Sequence, residues 1–250
     1  MPTRLAGALC KACGNHLISS DEGMGAGLVS LALLLQQTRA TTLAGVVFEH
    51  GVVLGADSRA TTGSIIADSS CDKLHPLCGN CWAGGCGTAA DADELTRHVA
   101  LDIRLRGLRA ATTAIAAPAA VDVATVDEAR GLLRRRLKSS RLQCGFVLGG
   151  VDATGPKLYR VEPDGATASS KYAAMGSGQF GAIARIEAAR HAPTASRDDA
   201  IGVVRCAIEA GIACDTGSGG EVHLVVIEPG DAGNVVATRL QFAARPPGRR

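Results

Sequence analysis

From Thr42 onward the chain alternates between two kinds of periodicity, and that order limits the folds open to it. "LAGVVFE" and "GVVLGADS" are β-rich runs meeting at a turn around "EHG", and "GSIIADSS" and "NCWAGGCG" follow at similar spacing as further short strands. The period then changes. "AADADELTRHVALDIRLRGLR" is charged and free of glycine until Gly107, so it predicts a helix, with Thr88 or Asp91 near its cap. A second helix is marked by Thr125 and Glu128, spaced as a capping box ahead of "ARGLLRRRLKSS". Strands return in "CGFVLGGVD" and "KLYRVEPDG", joined by the turn "ATGP", and in "KYAAMGSG". Two more helices follow, "FGAIARIEAARHA" closed by Pro193, and one opened by Ser196 and Asp199 that runs through "AIGVVRCAIEAGI". The stretch "EVHLVVIEPGDAGNVVATRLQF" closes the series as a hairpin. Hairpin-linked strands build antiparallel sheets, and two separated helix pairs need a face each. The expected class is therefore α+β, a four-layer αββα sandwich with two sheets inside.

Residues 1–40 share none of this rhythm and read as a separate N-terminal segment ahead of a domain at 41–250. Their longest apolar run, Gly27 to Gln37, is too short for a membrane span of ~20 residues, and Asp21 and Glu22 precede it. The net charge is only +2 and the basic residues form no long block, which argues against nucleic acid as a partner. Nine cysteines, many inside apolar runs, suit reduced thiols and a cytoplasmic or nuclear compartment.

Cys10/Cys13 and Cys78/Cys81, with His16 and His75 nearby, have the look of zinc pairs, but the gap from Cys13 to Cys78 far exceeds the ~15–20 residues of compact ribbons. Ordinary thiols, no metal and no cofactor are the expectation. "GVDATGPK" fails as a phosphate loop because Pro156 precedes its lysine and it joins two strands. "GSGQFG" does precede a helix, where its N–H groups could face an anion or form a tight turn.

The doubled hydroxyl at Thr41 and Thr42 is sharper. A threonine hydroxyl is a poor nucleophile without a base beside it. A chain cut before Thr41 would supply one from its own α-amine, whose ordinary pKa is roughly 8. Asp57 and Lys73, at the ends of neighbouring strands, could form the supporting charge pair, or stand as unrelated surface residues.

Six stretches in order, "TTLAGVVFEHGVVLGADSRAT", "ADSSCDKLH", "GGCGTAADAD", "VLGGVDATGPKLYRVEPDG", "MGSGQ" and "AGIACDTGSGG", resemble proteasome β-subunits, and among them the β2-type class that cleaves after basic residues. The resemblance runs from Thr41 to about Ile227. It implies the N-terminal-nucleophile hydrolase sandwich, a threonine endopeptidase, and a place among other α- and β-subunits in the proteasome barrel. It also implies roles. Thr41 is the nucleophile with its freed amine as base, and Asp57 and Lys73 support it. Arg59 is structural, Gly87 donates the oxyanion-hole N–H, and Ser177, Asp215 and Ser218 tune the amine. For the specificity pocket it implies Thr61, Cys71 as a wall, Gly85 as a floor open to long side chains, and Asp93 as the acid that attracts Arg or Lys.

In this light residues 1–40 resemble a propeptide in role, removed when Thr41 attacks the peptide bond before it. Three features depart from the family pattern. Ala40 stands where the family has glycine, and its Cβ disfavours positive φ; the connection at 109–124 is long and Ala-rich; and the C-terminal arm of the class is not recognisable before Arg250. The leading expectation is a catalytic subunit. A ring-filling subunit that stays unprocessed, and a stand-alone hydrolase of the same nucleophile class, are the alternatives.

Overall fold

The computed structural model describes residues 40–63, 65–113, 123–140, 142–189, 196–230 and 234–245. The N-terminal segment with Cys10 and Cys13, most of the Ala-rich connection, and Pro193 lie outside the described residues.

Three buried clusters define four layers. One sheet has the order β10–β1–β2–β11–β12, built from Tyr172–Met175, Leu43–Phe48, Gly51–Asp57, Glu221–Pro229 and Val235–Ala243. The other has the order β5–β6–β7–β8–β9, from Leu74–Cys78, Cys81–Gly87, Cys144–Asp152, Gly155–Val161 and Thr167–Ser169. All pairings are antiparallel. Leu43, Leu54, Val147 and Leu158 fill the space between the sheets. Helices α3 (Gln179–Ala189) and α4 (Arg197–Cys214) cover the first sheet, where Val53 and Leu224 meet Val204 and Ile208. Helices α1 (Ala89–Thr113) and α2 (Val126–Ser139) cover the second, where Phe146 and Leu148 meet Val99 and Leu133. Successive strand residues thus serve different layers: Val52 and Leu54 face the other sheet while Val53 faces the helices. This is the αββα sandwich expected from the order of elements.

The caps form as the spacing predicts. Thr125 and Glu128 make a reciprocal capping box on α2, and the Ser196 side chain accepts from the Asp199 N–H at the start of α4. Three strands went unanticipated. β5 contains Pro76, which cannot donate to a ladder; it survives because β5 is an edge strand whose register slips between Pro76 and Cys78. The strands β3 (Ala60–Thr62) and β9 have three residues each, too few to show alternation; β3 pairs with β4 (Ile65–Asp68) as a separate hairpin. Helix α1 also runs past Arg109 to Thr113, consistent with alanine's high helix propensity.

Cys78 and Cys81 oppose each other across the β5–β6 turn and are buried. Among the described residues no group of three His, Cys, Asp or Glu side chains gathers as a metal site, and no helix is long and apolar enough to cross a membrane.

Candidate active site

Thr41 sits two residues ahead of β1, 4% exposed, held by its backbone on both sides. Its N–H donates to Ser177 Oγ at 3.0 Å, and its carbonyl accepts from the Gly178 N–H at 3.2 Å. The turn carrying Ser177 can lie this close only because residue 176 is glycine. Gly176 has φ +93°, and a Cβ there would stand 2.1 Å from the Thr41 carbonyl oxygen.

Asp57, at the end of β2, is fully buried and fully satisfied. Its Oδ1 accepts from Lys73 Nζ at 2.7 Å and the Thr42 N–H at 2.9 Å; its Oδ2 accepts from the Gly219 N–H at 2.9 Å and the Arg59 N–H at 3.3 Å. Four donors on two oxygens meet the condition under which a buried carboxylate is tolerated. Lys73 is only 7% exposed, and its Nζ also reaches the Ala40 carbonyl oxygen at 3.5 Å. That oxygen accepts from the Thr41 hydroxyl at 2.7 Å as well. Thr41 and Lys73 therefore converge on the Ala40 carbonyl, with Asp57 holding Lys73 from behind.

A second polar group lies behind Thr41. Ser177 Oγ and Ser218 Oγ both donate to Asp215 Oδ2, at 2.5 and 2.7 Å, and Thr42 Oγ1 donates to Ser218 Oγ at 2.9 Å. The hydrogen bonds run in a loop from Thr41 N–H through Ser177, Asp215 and Ser218 to Thr42. Burial alone would raise the Asp215 pKa. The bonds donated by Ser177, Ser218 and the Gly217 and Ser218 N–H groups outweigh it and hold the carboxyl below its ordinary value. Arg59 lies on the far side of the Asp57 loop, where its Nη1 donates to the Thr216 carbonyl at 3.3 Å.

A small cleft opens beside this group, with Thr41, Lys73 and Gly87 among its lining residues. Gly87 closes β6 with φ +100°, and a Cβ there would press on the Gln143 carbonyl at 2.2 Å. Gly85, two residues earlier on β6, also lines the cleft, as do Cys71 and Asp93. Burial pushes the Cys71 thiol above its ordinary pKa, against the pull of Lys73. Thr61 is buried on β3 next to Ala60, and it is Ala60 that lines the cleft.

One lining residue was missed as a pocket group. His75, set aside above with the cysteine pairs, is mostly buried and its Nδ1 stands 3.5 Å from Asp93 Oδ1. Burial lowers its pKa, opposed by Asp93, so the neutral ring is favoured. The signal was masked because His75 lies on β5, whose Pro76 hid the strand.

The geometry agrees with what comparison shows. The proteasome subunit family model matches residues 38–227. The chain is 37% identical over 191 residues to "Proteasome subunit beta type-7" of Dictyostelium discoideum, covering 76% of this chain and 68% of that protein. It is 40% identical over 194 residues to "Proteasome subunit beta type-10" of Mus musculus, covering 77% and 67%. It is 39% identical over 190 residues to "Probable proteasome subunit beta type-2" of Schizosaccharomyces pombe, covering 75% and 67%. Six ordered motifs, the αββα layering and a family match over most of the chain lead to one conclusion: the protein belongs to the proteasome subunit family, with β-type subunits as its relatives.

Proposed function

We propose that the chain is a catalytic β-subunit of the 20S proteasome: a threonine endopeptidase that frees its own nucleophile and then cleaves polypeptides after basic residues. The observation that carries this is the meeting of the Thr41 hydroxyl and the Lys73 ammonium on the carbonyl of residue 40.

In the uncut chain Thr41 N is an amide and no base. Attack of Thr41 Oγ1 on the Ala40 carbonyl carbon places negative charge on an oxygen already within 3.5 Å of Lys73 Nζ. Collapse breaks the bond from the carbonyl carbon to the Thr41 nitrogen, which takes up the proton lost by Oγ1, so the acyl group moves from nitrogen to oxygen; water then hydrolyses the ester, releasing residues 1–40 and a free α-amine at Thr41. That amine is the base for later turnovers. It takes the Thr41 hydroxyl proton as the oxygen attacks a substrate carbonyl, while Gly87 N–H meets the oxyanion. Ser177, Asp215 and Ser218 hold the amine, and the Asp57–Lys73 pair supplies the fixed positive charge.

Specificity rests on the cleft. Gly85 adds no side chain to the cleft, and a Cβ there would press on the Ala92 Cβ at 2.9 Å, so glycine also lets β6 lie close against α1. With His75 neutral, the Asp93 charge stays uncompensated and attracts Arg or Lys. The partners are the other α- and β-subunits of the barrel, and the compartments are cytoplasm and nucleus.

A second reading, an unprocessed ring-filling subunit, has one observation in its favour. The Ala40 methyl lies close over Gly217, where a Cβ on residue 217 would meet it at 2.2 Å, so residue 40 is held in place by its side chain. The N-terminal sequence of the chain taken from assembled particles decides between them. Thr41 at the N-terminus supports catalysis, and an intact Ala40–Thr41 bond rejects it.

A further inference from the structure

The segment that brings Lys73 to Thr41 is suspended between two anchors. At its upstream end the Cys71 N–H donates to the Ser58 carbonyl at 2.8 Å, and Ser58 Oγ donates to the Ser69 carbonyl at 2.6 Å while accepting from the Glu221 N–H at 2.8 Å. These bonds tie residues 69–71 to the β2 end of the first sheet. The downstream anchor comes from the last strand. Arg239 stands opposite Val225 on β12, and its guanidinium crosses to the other sheet. Nη2 donates to Asp72 Oδ2 and, at 3.2 Å, to the Leu74 carbonyl, while the group lies over the Trp82 ring at 5.2 Å. Asp72 Oδ1 accepts from the Leu74 N–H at 3.1 Å, so the carboxylate joins the guanidinium to the start of β5. Between these anchors lie Cys71, which lines the cleft, and Lys73.

We propose that Arg239 is a positioning residue for the active site, latching the Cys71–Lys73 segment through Asp72. Arg239 lies beyond residue 227, where the family match ends. One nitrogen, Nη2, serves Asp72 and the Leu74 carbonyl while the guanidinium plane lies over Trp82; a lysine keeps the charge but has no flat face to lay on the ring. The latch has an electrostatic side as well. Asp72 also lines the cleft, and with Arg239 on it, Asp93 is the lining carboxylate left to meet a basic side chain.

The kinetic consequence rests on the catalytic reading above; the latch itself does not, so the test has two arms. In assembled particles, hydrogen–deuterium exchange of the peptide spanning residues 69–75 should quicken several-fold in Arg239→Met while peptides from β7 stay unchanged. Unchanged exchange at 69–75 overturns the latch whether or not the particle is active. In particles whose parent cleaves an Arg-ending fluorogenic peptide, Arg239→Met and Asp72→Asn should each lower kcat by about fivefold, the scale of a well-fixed but partly exposed ion pair. The double variant should fall no further than either single, and Arg239→Lys should recover part of the loss. Additive losses, or a kcat left unchanged by Arg239→Met, overturn the positioning role. A parent particle that cleaves no peptide rejects the catalytic reading, leaving exchange to decide the latch.

Discussion

Lys73 Nζ and Asp57 Oδ1 form a 2.7 Å ion pair almost wholly withdrawn from water, at 7% and 0% exposure. Removing one partner strands the other charge in the interior, which generally costs about 3–5 kcal/mol. Lys73→Ala should therefore both abolish self-cleavage and lower the melting temperature markedly. Pairing Lys73→Met with Asp57→Asn should regain much of the stability and none of the cleavage, read by thermal unfolding and by intact mass.

On the proposed self-cleavage, residue 40 should set the rate of maturation. Ala40→Gly removes the methyl held over Gly217 and opens backbone conformations denied to alanine, so processing should quicken in a time course of intact mass. Thr41→Ser should still process, and Thr41→Ala should accumulate the uncut chain with unchanged secondary structure.

The cleft predicts a pH-dependent selectivity. Asp93, Asp72 and Arg239 are the charged groups acting on His75, whose pKa burial holds below the ordinary 6.5. Above that value the ring is neutral and Asp93 acts alone. As pH falls through the lowered pKa, the imidazolium offsets Asp93, and preference for Arg-ending over Leu-ending peptides should decline. His75→Asn should flatten that decline, and Asp93→Asn should cut the Arg preference by about tenfold at neutral pH, the factor that ~1.4 kcal/mol supplies.

Thr125 offers a control remote from the chemistry. Its side chain accepts from the Glu128 N–H at 3.1 Å, and Thr125→Ala should cost about 1 kcal/mol of stability without altering peptide turnover. A change in kcat at constant particle content would show that α2 is coupled to the cleft.

The layering was legible because it depends on period: Val52, Val53 and Leu54 alternate between two cores, and Thr125 and Ser196 mark helix starts by local hydrogen bonds. Thr41, Asp57 and Lys73 could be named from strand ends and from family likeness, since hydroxyl, carboxylate and ammonium are chemically distinct. His75 and Arg239 could not. Each acts through tertiary contacts between separate elements, His75 from an edge strand disguised by Pro76 to Asp93 on α1, and Arg239 from β12 to Trp82 on the opposite sheet and Asp72 just ahead of β5. No local pattern records such a pairing.

Among the described residues, the backbone clamps on Thr41 come from residues 177 and 178, far from it in sequence. On the proposed cleavage, the new amine would emerge already docked on Ser177, so the group that turns from amide to base would change its chemistry without changing its place.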